Sequence, residues 1–372
     1  MKKNVTLICF TLAGLAAGCA AIEKSSPAPA SLKDAFKDDF LIGVAINRSQ
    51  FFEGDRRGVP IIKAQFNSIT PENILKWESV HPKPDTYDFT APDRYVEFGE
   101  TNSMYIIGHT LVWHSQTPRW VFQDALGHPV SREVLLQRMH DHIFTVVGRY
   151  KGRIKGWDVV NEALNEDGSL RNSPWRRIIG DDYIEKAFQY AHEADPQAQL
   201  HYNDYSLENE PKRNGAIVLI KKLQREGIPI TAVGLQDHVK MDWPTTEQLD
   251  ETIAAFARLG VKVMITELDV DVVTATQYNR TADIALNGQS ATGADALKSG
   301  LPESLQKELA ARYAELFGVY HKHRADISRV TFWGVTDGDS WLNARTRTNY
   351  PLLFDRAGNP KPAFYAVLKQ AR

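Results

Sequence analysis

The sequence predicts one closed (β/α)8 barrel, and three observations carry that expectation. Eight short β-type runs follow one another from Asp39 onward, amphipathic helical segments alternate with them, and no G-x-G-x-x-G phosphate loop follows the first run, as an open doubly wound sheet would want. In order, the runs are "FLIGVAI" (40–46), "FNSIT" (66–70), "MYIIGHT" (104–110), "IKGWDVV" (154–160), "QLHYN" (199–203), "ITAVGLQ" (230–236), "KVMITEL" (262–268) and "RVTFWGV" (329–335). Two intervening helices are clear. "SREVLLQRMHDHIFTVVGRY" offers Ser131 as N-cap and an apolar stripe through Leu135, Met139, Ile143 and Val146. "PESLQKELAARYAELFGVYHKH" places Leu305, Leu309, Tyr313, Leu316 and Tyr320 on one face. No internal repeat exceeds the βα unit, so residues 33–372 are read as one domain. The polar, glycine-bearing stretch 283–300 reads as a loop insertion after the seventh run, on the face where barrel active sites lie.

Composition narrows the function classes. Of 372 residues, 43% are hydrophobic and 24% charged, which supports a large core and excludes disorder for most of the length. The 44 basic and 46 acidic residues are mixed along the chain, for a net charge of −2, so there is no footprint for nucleic acid or an anionic membrane. A neutral substrate fits, and a monomer without a cofactor or metal is expected.

The N-terminus is a separate object. Lys2 and Lys3 precede an apolar run from Val5 to Ala17 and small residues around Gly18, so residues 1–18 read as a secretory signal, too short to span a bilayer comfortably. Both cysteines of the chain, Cys9 and Cys19, lie in this leader region, which leaves the exported domain without an intramolecular disulfide. "LAAGCA" resembles a bacterial lipobox with Cys19 as the lipidated residue, although Leu15 sits one position early and Ala16 takes the third place before the cysteine. Residues 19–32 then read as a Ser/Pro/Ala tether, and the protein is expected at the cell envelope on a lipid anchor, or else secreted.

Catalytic groups of barrels come from the C-terminal ends of strands, and two runs here end in a glutamate: the fourth at Glu162 and the seventh at Glu267. Strands three places apart in an eight-strand ring face each other across the mouth. Alternation puts Val263, Ile265, Glu267 and Asp269 on one face of the seventh run, whereas in the fourth the same parity also turns Asp158 inward. A protonated acid facing an ionised carboxylate is the equipment of glycoside hydrolysis. Other polar groups that can hold sugar hydroxyls fall at other strand ends: Glu72, Asn73 and Lys76 after the second, His109 at the third, Asn203 at the fifth, Gln236 and His238 at the sixth. Trp113, Trp333 and Trp341 offer faces on which sugar rings stack. A metal-dependent hydrolase would want an H-x-H pair on a strand. The pair His140 and His142 lies in a helix, where the side chains diverge by about 200°. A degenerate sugar-binding module would not keep both carboxylates.

These residues carry a family resemblance. "TPENILKW", "GHTLVWHSQTP", "GWDVVNEA", "YNDY", "VGLQDH", "ITELDV", "TFWGVTDGDSW" and "LLFDRAGNPKPAF" occur in an order that resembles glycoside hydrolase family 10, the retaining endo-β-1,4-xylanases, over nearly all of the exported chain. The resemblance implies xylan and xylo-oligosaccharides as partners, Glu162 as acid/base and Glu267 as nucleophile, with Asn161 on the 2-hydroxyl of the sugar being cleaved. It also implies that His238, held by Asp269, bonds the nucleophile, and that Glu72, Asn73, Lys76, His109, Trp113, Gln236, Trp333 and Trp341 surround two sugars on the non-reducing side of the cut. Two features depart from the family pattern: Asp237 replaces a small residue, where alternation aims it away from the nucleophile, and the 283–300 insertion is long. A retaining β-1,4-glycanase of broader specificity is the alternative.

Overall fold

The computed structural model describes residues 31–273, 297–343 and 347–371. Eight parallel strands form the barrel: β1 (Leu41–Ile46), β2 (Ser68–Pro71), β3 (Tyr105–Trp113), β4 (Gly156–Asn161), β5 (Gln199–Asp204), β6 (Ala232–Leu235), β8 (Lys262–Asp271) and β9 (Ile327–Phe332). Pairing of β6 with β8 and of β1 with β9 closes the ring. The additional strand β7 (His238–Lys240) was not expected from the sequence. It pairs with Asp269–Asp271 because β8 runs beyond the barrel rim and offers a free edge there. The eighth run sits two to three residues earlier than expected, so Trp333 lies just past the strand end, among the loops of the mouth.

The helices pack as their apolar spacing predicts. Ser131 caps Arg132–Arg149 through its side chain to the N–H of Val134, and Leu135, Met139, Ile143 and Val146 are fully buried. Each such side chain contributes about 1.5–3 kcal/mol by leaving water. In Glu303–Lys322, Leu309, Tyr313, Leu316 and Tyr320 are buried, whereas Leu305 in the first turn is only partly covered. Trp157 on β4 packs flat over Gly108 on β3: a Cβ at position 108 would lie 2.1 Å from the indole, so glycine is required there.

Inside the ring, below the mouth, the packing is polar. Asp158 lies 3.0 Å from His109 Nδ1 and 3.3 Å from His201 Nδ1, with all three side chains buried. His142 is fully buried and stacked on Trp77 at 3.6 Å, while His140 points elsewhere and stacks on Phe144. Residues 274–296, most of the expected insertion, lie outside the described residues, as do the leader and tether through residue 30.

Candidate active site

Two irregularities in the strands build the site. On β4, Asp158 pairs with His109 and His201, and Asn161 pairs with Trp113 and Asn203, so β4 takes one residue more than β5 over that interval. This bulge keeps both Asp158 and Asn161 on the barrel side, which simple alternation could not do. Glu162 follows with φ +56°, a left-handed conformation that costs a non-glycine residue of order 1 kcal/mol and turns the chain at the mouth. Its N–H donates to Asn203 O at 2.9 Å, and Arg171 Nε donates to its carbonyl at 3.1 Å.

The expected phase of the seventh barrel strand needs correction. Met264 and Thr266 turn into the barrel, with Met264 Sδ 3.7 Å from Arg329 Nη2 and Thr266 Oγ1 2.7 Å from Asn203 Oδ1, while Val263 and Ile265 alternate to the helix side. A register shift between Ile265 and Leu268 then brings Glu267 round to the mouth. Glu267 thus reaches the site through an irregularity and not through strict alternation.

The two carboxyls meet different surroundings. Glu162 accepts from Trp113 Nε1 at 2.9 Å, Gln236 Nε2 at 3.0 Å and Asn161 Nδ2 at 3.1 Å. Burial and the nearby charge of Asp204 nevertheless push its pKa up. Burial also acts to raise Glu267, but hydrogen bonds from His238 Nε2 at 3.1 Å and Asn203 Nδ2 at 2.8 Å, with the imidazoles close by, bring it below the ordinary carboxylate value. One carboxyl is pushed toward its protonated form and its neighbour toward the ionised one, the division of labour that general-acid and nucleophilic roles need.

Most of the residues expected at the site line one pocket of about 190 Å³ with these carboxylates. From the loop after β2 come Glu72, the rim residue Asn73 and buried Lys76, whose ammonium donates to Asn73 Oδ1 and to Gln116 Oε1, each at 2.9 Å, and lies 4.9 Å from the Trp113 ring. Burial and the charge of Asp339 push Glu72 up to about 7, and burial lowers the pKa of Lys76 against the pull of the surrounding glutamates. His109, Asn161, Gln236 and His238 complete the polar wall. Trp333 stands edge-on to His109 at 5.5 Å, and Trp341 packs on His238 at 4.9 Å while donating to Asp269 Oδ2 at 2.7 Å.

Asn203 and Asp269 do not line the pocket. Asn203, expected among the groups on the sugar, is fully buried behind it, its amide joined to Asn161 Oδ1 at 2.9 Å and to Glu267. Asp269 lies 3.1 Å from His238 Nδ1. Asp237 bonds Tyr320 at 2.6 Å, away from the pocket. Sequence reasoning missed Gln116, whose place in "GHTLVWHSQTP" just after the third strand was a usable signal. It also missed Asp204, paired with fully buried Lys212 at 3.0 Å, for which nothing in the sequence distinguished a tuning role.

A parallel barrel presenting two carboxyls with oppositely shifted pKa values in one indole-walled pocket has the equipment of a glycoside hydrolase. The chain belongs to glycosyl hydrolase family 10, whose model matches residues 31–370. It is 43% identical over 370 residues to an endo-1,4-beta-xylanase A of Xylanibacter ruminicola, covering 99% of each chain. It is 42% identical to a beta-1,4-xylanase of Dictyoglomus thermophilum, covering 91% of this chain and 90% of the relative. Among solved structures, a GH10 endoxylanase retrieved from a sugarcane soil metagenome superposes with a TM-score of 0.86 at 44% identity, over 92% of this chain and all of that one.

Proposed function

We infer that the barrel is an endo-1,4-β-xylanase that hydrolyses internal bonds of xylan with retention, Glu162 serving as acid/base and Glu267 as nucleophile. The observation that carries the assignment is the opposed environment of the two glutamates in one pocket: Glu162 pushed toward its protonated form, Glu267 held as the anion.

In the first step Glu267 attacks the anomeric carbon while Glu162 gives its proton to the departing glycosidic oxygen, leaving a glycosyl ester on Glu267. Esterification removes the negative charge that helps hold Glu162 protonated, so its pKa falls and it becomes the base that takes a proton from the incoming water. Water attacks the same carbon from the face the leaving group vacated, freeing Glu267 and giving net retention. Asn161 sits one residue from the acid and within reach of the nucleophile's side of the pocket, where its amide can bond a sugar hydroxyl as charge develops. His238 and Asn203 keep the attacking carboxylate aimed and ionised.

Selection of the pentose follows from Glu72, Lys76 and Trp341 lining the same narrow pocket, which crowds the hydroxymethyl arm that glucose has and xylose lacks. Aryl xylobiosides should exceed aryl cellobiosides in kcat/KM by at least about tenfold, and Trp341→Ala should narrow that ratio while slowing both. Equal rates on the two substrates would leave only a retaining β-1,4-glycanase of broad specificity.

The reading extends to the cell envelope through Cys19, proposed as a lipidated residue at the end of an 18-residue signal, with residues 19–32 as tether to a monomeric barrel. Cys19→Ala should move the enzyme from the membrane fraction to the soluble fraction with unchanged specific activity. An unchanged distribution would mean that Ala16 has broken the lipobox.

A further inference from the structure

A second open cavity, of about 450 Å³, lies beyond the Glu72 end of the catalytic pocket. Its walls are the Ser49–Arg57 segment that follows β1, the Thr336–Asp339 turn that follows β9, and Arg356. Asp339 joins the two spaces: it lines this cavity, and its charge acts on Glu72 in the catalytic pocket. The cavity is of a size that takes one or two sugar rings.

Its chemistry differs from that of its neighbour. Among the described residues no arginine lines the catalytic pocket, whereas Arg56, Arg57 and Arg356 all line this one. The two carboxylates present are engaged by the local backbone. Asp55 accepts from the N–H groups of Arg57 at 3.0 Å and Gly58 at 2.9 Å, and Asp339 from the N–H of Thr336 at 3.2 Å and its hydroxyl at 2.8 Å. Arg57 Nη1 donates to Arg356 O at 2.9 Å, and Arg356 is fixed by Asn343 Oδ1 and Asn349 O, each at 2.9 Å, over the Tyr350 ring. The Arg56 guanidinium has no hydrogen-bond or ion-pair partner among the described residues and stands at an open wall of the cavity. A planar guanidinium fork is the group that pairs with a carboxylate in two-point geometry, and Arg56 offers one while Arg57 and Arg356 add positive charge beside it.

We propose that this cavity receives a carboxylate-bearing side sugar, a hexuronate, carried by the xylan chain on the glycone side of the cut. The inference rests on the reading above that sets the glycone sugars against Glu72. The chain then threads past Trp333 and Trp341 with its backbone sugars in the neutral pocket, and an acidic branch turns aside to meet Arg56 and Arg57. Acidic decoration becomes a means of placing the chain and not an obstacle to it.

The test uses three xylo-oligosaccharides of equal backbone length: one bearing a single glucuronic acid on a glycone-side xylose, the same compound as its methyl ester, and the plain oligomer. The wild-type enzyme should cleave the acid about five- to tenfold faster in kcat/KM than the ester at low salt, with the preference fading toward 0.5 M NaCl, roughly where screening shortens to a few ångströms. Arg56→Gln and the Arg56→Gln/Arg57→Gln double variant should erase that ratio while leaving the plain oligomer within about twofold. Equal rates on acid and ester in the wild type, or a ratio that persists in the double variant, overturns the proposal. Cleavage of the plain oligomer reports on the catalytic reading alone, so a failure there is distinct from a failure of the acid-to-ester ratio.

Discussion

His238 lies 3.1 Å from Glu267 through Nε2 and 3.1 Å from Asp269 through Nδ1, an imidazole clamped between two buried carboxylates. Burial disfavours its charge, but the two anions, Asp269 foremost, outweigh that and raise its pKa to about 10. Across the working range it is therefore an imidazolium that faces the nucleophile, and one ion serves both to orient Glu267 and to keep it ionised.

Replacement of His238 with Asn removes the charge and leaves burial to act on Glu267 with less opposition. The pKa of Glu267 then rises, and because the nucleophile must be ionised, the acidic limb of kcat/KM should move to higher pH by about one unit or more, with a loss of rate at neutral pH. A pH–rate profile measures this. An acidic limb that stays in place would show that His238 does not set the ionisation of Glu267.

Asp204 makes the complementary case on the acid. After burial, its charge is the largest influence raising Glu162, and it is itself paired with Lys212 at 3.0 Å. Asp204→Asn should lower the pKa of Glu162, and since that group must be protonated to assist departure, the basic limb should move toward lower pH. The variant should also lose about 1–3 kcal/mol of stability, because Lys212, with no solvent exposure, keeps only Glu166, at 3.4 Å, as an ion-pair partner. Activity assays at several pH values, alongside denaturant unfolding, separate the two effects. A basic limb unmoved or shifted upward contradicts the tuning role.

The eight strands, the cap at Ser131 and the glutamates at two strand ends were legible because each rests on local chemistry: period-two runs, a side chain that satisfies a helix N–H, a polar residue closing an apolar run. The phase of the seventh barrel strand was not, because the register shift near Glu267 depends on how a neighbouring strand pairs, which no single stretch records. The same holds for Asn203, whose type suggested a sugar contact but whose burial is set by β4 and β8 on either side of it. Asp204 and Gln116 act through space on groups far away in sequence.

Away from the site, Lys361 is enclosed with Asp337: its ammonium donates to Asp337 Oδ2 at 2.9 Å, Tyr350 O at 2.8 Å and Leu352 O at 2.7 Å. Lys361→Met should cost about 3–5 kcal/mol by stranding the carboxylate. Burial already raises Asp337 to about 6, so protonation favours the folded state and its stabilising effect is lost as pH climbs through that value. The deficit of the variant should accordingly be larger at pH 8 than at pH 5 in thermal unfolding. A deficit below about 1 kcal/mol, or one independent of pH, would show that the pair does not hold the C-terminal segment.

The central claim is that Glu267 attacks the sugar while Glu162 supplies the proton, and trapping the covalent intermediate tests it most directly. Incubation with an activated 2-fluoro-xylobioside should add one glycosyl unit to a single peptide, the one containing Glu267, and NMR of early hydrolysis should show the β-anomer first. A label on any other residue, or an initial α-anomer, would contradict the account.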